Sequence, residues 1–300
     1  MDFLRFDEVI RKNTSTINVY PIFVVNKSKE LMVRGKSFYA VWNQEKGLWS
    51  TDEFELIHMV DKALDDEAKI LTEKNEHMSI SPMYMDNYRT GTYKSYKQFI
   101  KDMPDIYKQL DNKIVFSNTE VKREDYVSRR LNYPLQKGSI ENYEKLISTL
   151  YSPEERQKIE WAVGAIISGE SKSIQKFLVF YGDPGTGKST VLDIIEEMFP
   201  GYFITFDAKS LVSNNNMFSV EQFKDNPLIA IQHDGDLSRV EDNSKLNSIV
   251  SHEIMSVNEK YKSQYSMRFN CFLLMATNKP VKITDAKAGI IRRLLDVRPT

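Results

Sequence analysis

The chain has 300 residues, 41% of them hydrophobic, with 41 Lys and Arg against 42 Asp and Glu and a formal net charge of −1. A chain of this length and composition can bury two apolar cores, which excludes a largely disordered protein. The balanced charge also excludes a generally basic coat, so any nucleic acid must be met by local patches.

The N-terminal stretch Met1 to Glu8 carries charges where a secretory signal needs an apolar centre. No apolar run approaches the ~18 residues of a membrane span, so a cytoplasmic protein without a membrane partner is expected. From Asn18 to Trp49 β-branched and aromatic residues dominate, which predicts a small antiparallel sheet. Ser50-Thr51 before Asp52-Glu53 opens a helix over 52–75, with Phe54, Ile57, Val60, Ala63 and Leu64 at helical spacing. Between 78 and 112 the helical pattern is broken by Pro82, Gly91 and Pro104, and Lys113 to Ser117 has the look of a short strand. Within that stretch Tyr84, Tyr88, Arg89, Tyr93, Lys94, Tyr96, Lys97 and Lys101 interleave aromatic and basic residues. Packing of tyrosines inward with lysines in water is preferred there over strand binding. Ser152-Pro153-Glu154-Glu155 is a capping box that starts a helix stopped by Gly169.

Beyond Lys176 the pattern changes to short, continuously apolar runs, as in a parallel sheet covered on both faces. Five strands are predicted: Phe177 to Tyr181, Tyr202 to Phe206, Leu228 to Gln232, Cys271 to Ala276 and Leu294 to Val297. The single cysteine, Cys271, thus reads as a small buried hydrophobe, and its solitude excludes a disulfide framework. The expected division is an N-terminal α+β region over 1–138, a helical linker or collar over 139–175, and an α/β domain over 176–300.

Directly after the first of these strands stands Gly182-Asp183-Pro184-Gly185-Thr186-Gly187-Lys188-Ser189-Thr190, which fits G-x-x-x-x-G-K-[ST] and opens a helix with Val191, Leu192, Ile195 and Met198 on one face. Three of the chain's twelve glycines fall here, where backbone N–H groups and a helix N-terminus can cradle phosphates. Lys188 is expected to meet the β- and γ-phosphates of ATP and Ser189 to bind Mg²⁺, with Thr190 packed under the loop. The strand 228–232 leads to His233 and Asp234, placing a carboxylate for Mg²⁺ at a strand tip. A further strand between loop and acid favours the additional-strand ATPases over small-molecule kinases. Asn278 ends the fourth strand, where an amide can bond the γ-phosphate and the attacking water. Arg292 and Arg293 lead into the fifth strand, where one of them, Arg293 by preference, can reach a neighbouring subunit's ATP as an arginine finger.

The order of these elements, with the basic segment Glu259 to Lys262 between them, resembles that of superfamily-three helicases, most nearly the phage and poxvirus-type primase-helicases. The resemblance covers roughly 177–298. It implies an AAA+-like parallel sheet in the strand order five-one-four-three-two, a homohexameric ring around single-stranded or forked DNA, and a primase or polymerase partner, in the host cytoplasm if phage-encoded. By the same resemblance Lys260, Tyr261 and Lys262 form a pore hairpin that grips one DNA strand. The family often has paired acids at the second motif. Here His233 stands in place of one, leaving His233 or Asp236 as the group that assists hydrolysis. The chain also stops sooner after the fifth strand than family members do, so a piece of a longer protein is expected. The resulting expectation is an ATP-driven replicative helicase. The alternatives are a nucleotide-dependent replication initiator or loader, or a packaging-type ATPase, without unwinding activity.

Overall fold

A computed structural model describes residues 1–24, 27–85, 91–212, 219–236, 242–258, 264–280 and 289–300. The chain divides into two compact units, one of residues 1–108 with 122–124 and one of residues 109–121 with 125–300. The expected divisions at 138 and 175 therefore do not coincide with the compact units, because 109–121 and 125–175 fold with the second.

In the first unit β1 (Leu4–Ile10), β2 (Thr16–Phe23), β3 (Leu31–Arg34), β4 (Ser37–Asn43) and β5 (Leu48–Ser50) precede the long helix α1 (Glu53–Lys74), followed by β6 (Ser79–Pro82) and α2 (Gly91–Asp102). The strands form two three-stranded sheets, β1-β2-β6 and β3-β4-β5. Asp52 caps α1 by accepting the Phe54 N–H, and the Leu56, Ile57, Val60 and Leu64 face is buried. The core also takes in Tyr96, Phe99 and Ile100 of α2. Tyr96 is fully buried, with its hydroxyl donating to Glu53 at 2.9 Å and Lys97 bonded to the same carboxylate at 2.8 Å. The 91–101 part of the tyrosine-rich segment is thus packed as expected, while Tyr88 and Arg89 lie outside the described residues.

The second unit begins with an irregular segment in which Ile114, Val115 and Phe116 are buried without forming the expected strand. It continues through α3 (Glu141–Leu150), α4 (Pro153–Ser168), α5 (Ser171–Ile174), β7 (Phe177–Tyr181), α6 (Lys188–Met198), β8 (Phe203–Thr205), α7 (Ala208–Leu211), β9 (Ile229–Gln232), α8 (Ser244–Val250), β10 (Ile254–Val257), β11 (Tyr265–Arg268), β12 (Phe272–Thr277) and β13 (Leu294–Val297). Ser152 caps α4 and Gly169 ends it in the left-handed conformation at φ +74°. The capping box is only half made, since the Glu155 carboxylate accepts from the Arg298 N–H and Lys158 instead.

Five strands form an all-parallel sheet in the order β13-β7-β12-β9-β8. Alternation along each strand explains why they read as unbroken apolar runs. Leu178 and Phe180 of β7, Ile229 and Ile231 of β9, and Leu274 of β12 face one core with α4 and α6, whereas Phe177, Val179, Ala230, Leu273 and Cys271 face another with α8. Each fully buried large side chain of this kind contributes roughly 1.5–3 kcal/mol. Burial also pushes the Cys271 thiol up, in keeping with its expected role as a core residue. Strands β10 and β11 form a separate antiparallel pair flanking the segment where the resemblance places a hairpin, although neither is among the five strands predicted from the pattern. Residues 259–263 between them, and with them Lys260, Tyr261 and Lys262, lie outside the described residues. No helix among the described residues is long and apolar enough to cross a membrane.

Candidate active site at the carboxyl end of the parallel sheet

Parallel pairing brings the ends of three strands to one edge. Thr277 of β12 pairs with Tyr181 of β7, and Met275 pairs with Gln232 of β9, so Gly182, Asn278 and Asp234 all follow strand tips on the same side. This is the edge where open α/β sheets bind ligands.

The glycine loop joins β7 to α6. Gly185 and Gly187 have φ of +77° and +84°, the left-handed region that glycine enters without a steric penalty, just ahead of the α6 N-terminus. A Cβ on Gly187 would stand 2.7 Å from Leu150 Cδ2, and one on Gly182 would stand 3.2 Å from Pro299 Cδ. Thr186 Oγ1 donates to the Asp183 carbonyl at 2.8 Å. Lys188 folds back into the loop: its ammonium donates to the carbonyls of Gly182 at 2.8 Å and Asp183 at 2.6 Å. Only 7% of it is exposed, and burial lowers its pKa against the opposing pull of Asp183 and Asp234. Pro184 and Ser189 are exposed. Thr190 is exposed too, which corrects the expectation that it packs beneath the loop.

Asp234 is exposed beyond β9. The turn that presents it depends on Gly235, whose N–H donates to the Ala276 carbonyl at 2.7 Å and whose missing side chain leaves room for Met275. Sequence reasoning passed over this glycine, although a lone Gly after a buried strand signals close backbone approach. Asn278 is exposed one residue past β12, while Thr277 beneath it is buried and accepts the Lys279 N–H at 3.0 Å.

The two candidates for assisting hydrolysis are both engaged by side chains. Asp236 pairs with Lys279 at 2.8 Å and Lys209 at 3.4 Å. His233 Nε2 lies 2.8 Å from Glu196 Oε1 on α6. The arginines lie at the other edge of the sheet, since Arg293 immediately precedes β13, whose first residue pairs with the first of β7. A five-residue strand spans roughly 13 Å, so neither reaches its own chain's loop along the sheet. Arg293 is buried and donates to Ser251 Oγ at 3.1 and 2.7 Å and to the Gly289 carbonyl at 2.7 Å. Burial, then the neighbouring Arg292, lowers its pKa. Arg292 is the exposed member of the pair, and Arg293, the expected finger, is the buried one.

At that amino-terminal edge the 109–131 segment supplies partners. Asp111, fully buried, accepts from the Ser128 N–H at 2.7 Å and Arg129 Nε at 2.9 Å, and Arg129 passes on to the carbonyls of Gly201 and Asp225. Asn226 Nδ2 donates to the Leu110 carbonyl at 2.7 Å. Tyr202 donates to the Arg129 carbonyl at 2.7 Å and accepts the Val115 N–H at 3.1 Å.

Among known proteins, the family described as "Family of unknown function (DUF5906)" matches residues 180–293, from the end of β7 to Arg293. No curated protein matches the chain. Similar solved structures include the A-form apo structure of the NrS-1 C-terminal region 305–718, at 18% identity and a TM-score of 0.41, covering 56% of this chain and 39% of that one. A second A-form apo structure of the same region has 18% identity and a TM-score of 0.42, and an apo structure of 305–718 has 18% identity and 0.41; each covers 57% of this chain and 42% of that one. The chain thus spans about two fifths of the length of the solved chains it matches.

Proposed function

We propose that the chain binds and hydrolyses ATP at the glycine loop and uses the cycle to move on single-stranded DNA, as an AAA+-like replicative helicase of the phage primase-helicase kind assembled as a ring. The observation that carries this reading is the loop itself: two left-handed glycines ahead of a helix N-terminus, with a lysine ammonium held by loop carbonyls beside it. The strand order, with β7 between β13 and β12 and β8 at the far edge, is that of the additional-strand ATPases, and supports the reading further.

In the proposed cycle the triphosphate takes over the Lys188 ammonium from the Gly182 and Asp183 carbonyls, while N–H groups from Gly185 to Thr190 hold phosphate oxygens. Ser189 and Asp234, both exposed oxygen donors on this edge, fit Mg²⁺, which prefers such hard ligands. When bound, Mg²⁺ would neutralise charge on the phosphates. Asn278 orients the attacking water. Asp236, already shared by two lysines, is a weak choice for a base, so Asp236→Asn is expected to keep turnover within a few fold. Arg292 of a neighbouring subunit supplies the trans-acting charge, and Lys260, Tyr261 and Lys262 supply the grip on DNA.

The test is ATP turnover with and without a single-stranded oligonucleotide, together with the mass of the nucleotide-bound assembly and unwinding of a forked duplex. The expected result is Mg²⁺-dependent hydrolysis stimulated by the oligonucleotide, a hexamer, and unwinding. Turnover without unwinding would favour the alternatives without unwinding activity, an initiator or loader or a packaging-type ATPase, and no turnover in any assembly would overturn the ATPase reading.

A further inference from the structure

Between α6 and the end of β9, two carboxylates and an imidazole converge. Asp193 and Glu196 are three residues apart on α6, so they share one face of the helix, and His233 reaches them from just beyond the end of β9. His233 Nε2 is 2.8 Å from Glu196 Oε1 and Nδ1 is 3.8 Å from Asp193 Oδ1. One donor atom from each of the three lies within 4.8 Å of the other two.

Charge accounting makes the arrangement unusual. Among the described residues neither Asp193 nor Glu196 forms an ion pair with a lysine or arginine. A metal would replace the present Nε2–Glu196 hydrogen bond: one ring nitrogen, free of its proton, and one oxygen from each carboxylate would hold it. Two carboxylates and a nitrogen lone pair gathered in one place are matched by a dication. The imidazole makes the donor set one for zinc and the first-row divalent metals rather than for Mg²⁺, which favours oxygen ligands and retains its waters. Three protein ligands leave a position for water.

We propose that Asp193, Glu196 and His233 form a Zn²⁺-class metal site that ties α6 to the end of β9. The site is independent of nucleotide binding and separate from the Mg²⁺ ligands proposed above, although His233 neighbours Asp234 in sequence. Occupied, it would hold the helix that begins at the glycine loop against the strand that presents Asp234.

The test uses the full chain stripped of metal and equilibrated with zinc chloride in millimolar Mg²⁺, which saturates hard-oxygen sites. The expected result is one equivalent of zinc per chain and a zinc-dependent rise in the thermal midpoint, both retained in Asp234→Asn. His233→Ala, Asp193→Asn and Glu196→Gln should each weaken zinc binding about tenfold or more. Cobalt should give a visible absorption band that His233→Ala abolishes. Asp193 is largely exposed, so Asp193→Asn gives a decision even if His233→Ala fails to fold. Zinc bound equally by wild type and all three variants, no zinc bound by wild type, or an equivalent lost in Asp234→Asn alone would overturn the proposal, leaving a histidine–carboxylate hydrogen bond or a metal at the nucleotide edge.

Discussion

The two ends of the parallel sheet are built from the same strands and treat polar groups in opposite ways. At the amino-terminal edge Asp111, Arg129, Asn226, Tyr202 and Arg293 are turned inward and paired, mostly with backbone carbonyls and N–H groups. At the carboxyl edge Asp234, Ser189 and Asn278 are exposed, and the buried Lys188 is held by carbonyls that a stronger acceptor can displace. Stability resides at one end, and groups suited to chemistry at the other, because a polar group spent on folding is unavailable to a ligand.

Substitutions at the two edges should therefore separate rate from stability. The largest effect is expected of Lys188→Ala, which should lower ATP turnover by about 10³-fold or more while leaving the denaturation midpoint nearly unchanged. A matching loss of stability in urea titration would place Lys188 with the folding groups instead. At the other edge Asp111→Ala should cost about 1–3 kcal/mol in the same titration, because it takes the acceptor from the Ser128 N–H and from the half-buried Arg129.

The adjacent arginines sharpen the contrast further. Arg293→Ala should destabilise the chain by about 1–3 kcal/mol by removing the donors that serve Ser251 and the Gly289 carbonyl. Arg292→Ala should change stability by less than about 0.5 kcal/mol, yet slow turnover in the assembled ring. Mixing Arg292→Ala with Lys188→Ala chains should restore part of the activity, and a co-assembled mixture with no recovery would remove the shared-site mechanism.

A further contrast appears in alkali. Burial pushes the Tyr202 hydroxyl up to about 12, above the ordinary phenol, so the stability it supplies is complete below about pH 10 and is lost as pH climbs through about 12. Tyr202→Phe should flatten that alkaline slope by up to roughly 2 kcal/mol in denaturation midpoints compared across this range. Tyr143, also pushed up to about 12, should keep part of it. An unchanged slope would mean that Tyr202 ionises alike in both states.

The parallel strands and the glycine loop were legible because their signals are local: a run buried on both faces is apolar at every position, and a phosphate loop needs its glycines within a few residues. The strand β1 was passed over because only its beginning is apolar and inward, while Asp7, Glu8, Val9 and Ile10 face outward and break the alternation. The irregular 109–138 stretch has no period to detect, since its order comes from side chains such as Asp111 and Asn226 bonding to backbone far away in sequence. The inward turn of Arg293 was likewise beyond local reading. Ser251, which holds Arg293 inward, belongs to the turn after α8.

The glycine loop also has a consequence for sequence drift. Its three glycines satisfy one pattern for three different reasons. Gly185 needs only its left-handed backbone, with open space where a side chain would stand, so asparagine, which tolerates that conformation, is the replacement it should accept most readily. Gly182 has an ordinary backbone and is confined by Pro299, so its tolerance is set by how far a proline ring can yield. Gly187 carries both constraints, a left-handed backbone and the side chain of Leu150 against it, and two simultaneous changes would be needed to release it. Among diverged copies of this loop, Gly187 should be the last of the three to vary.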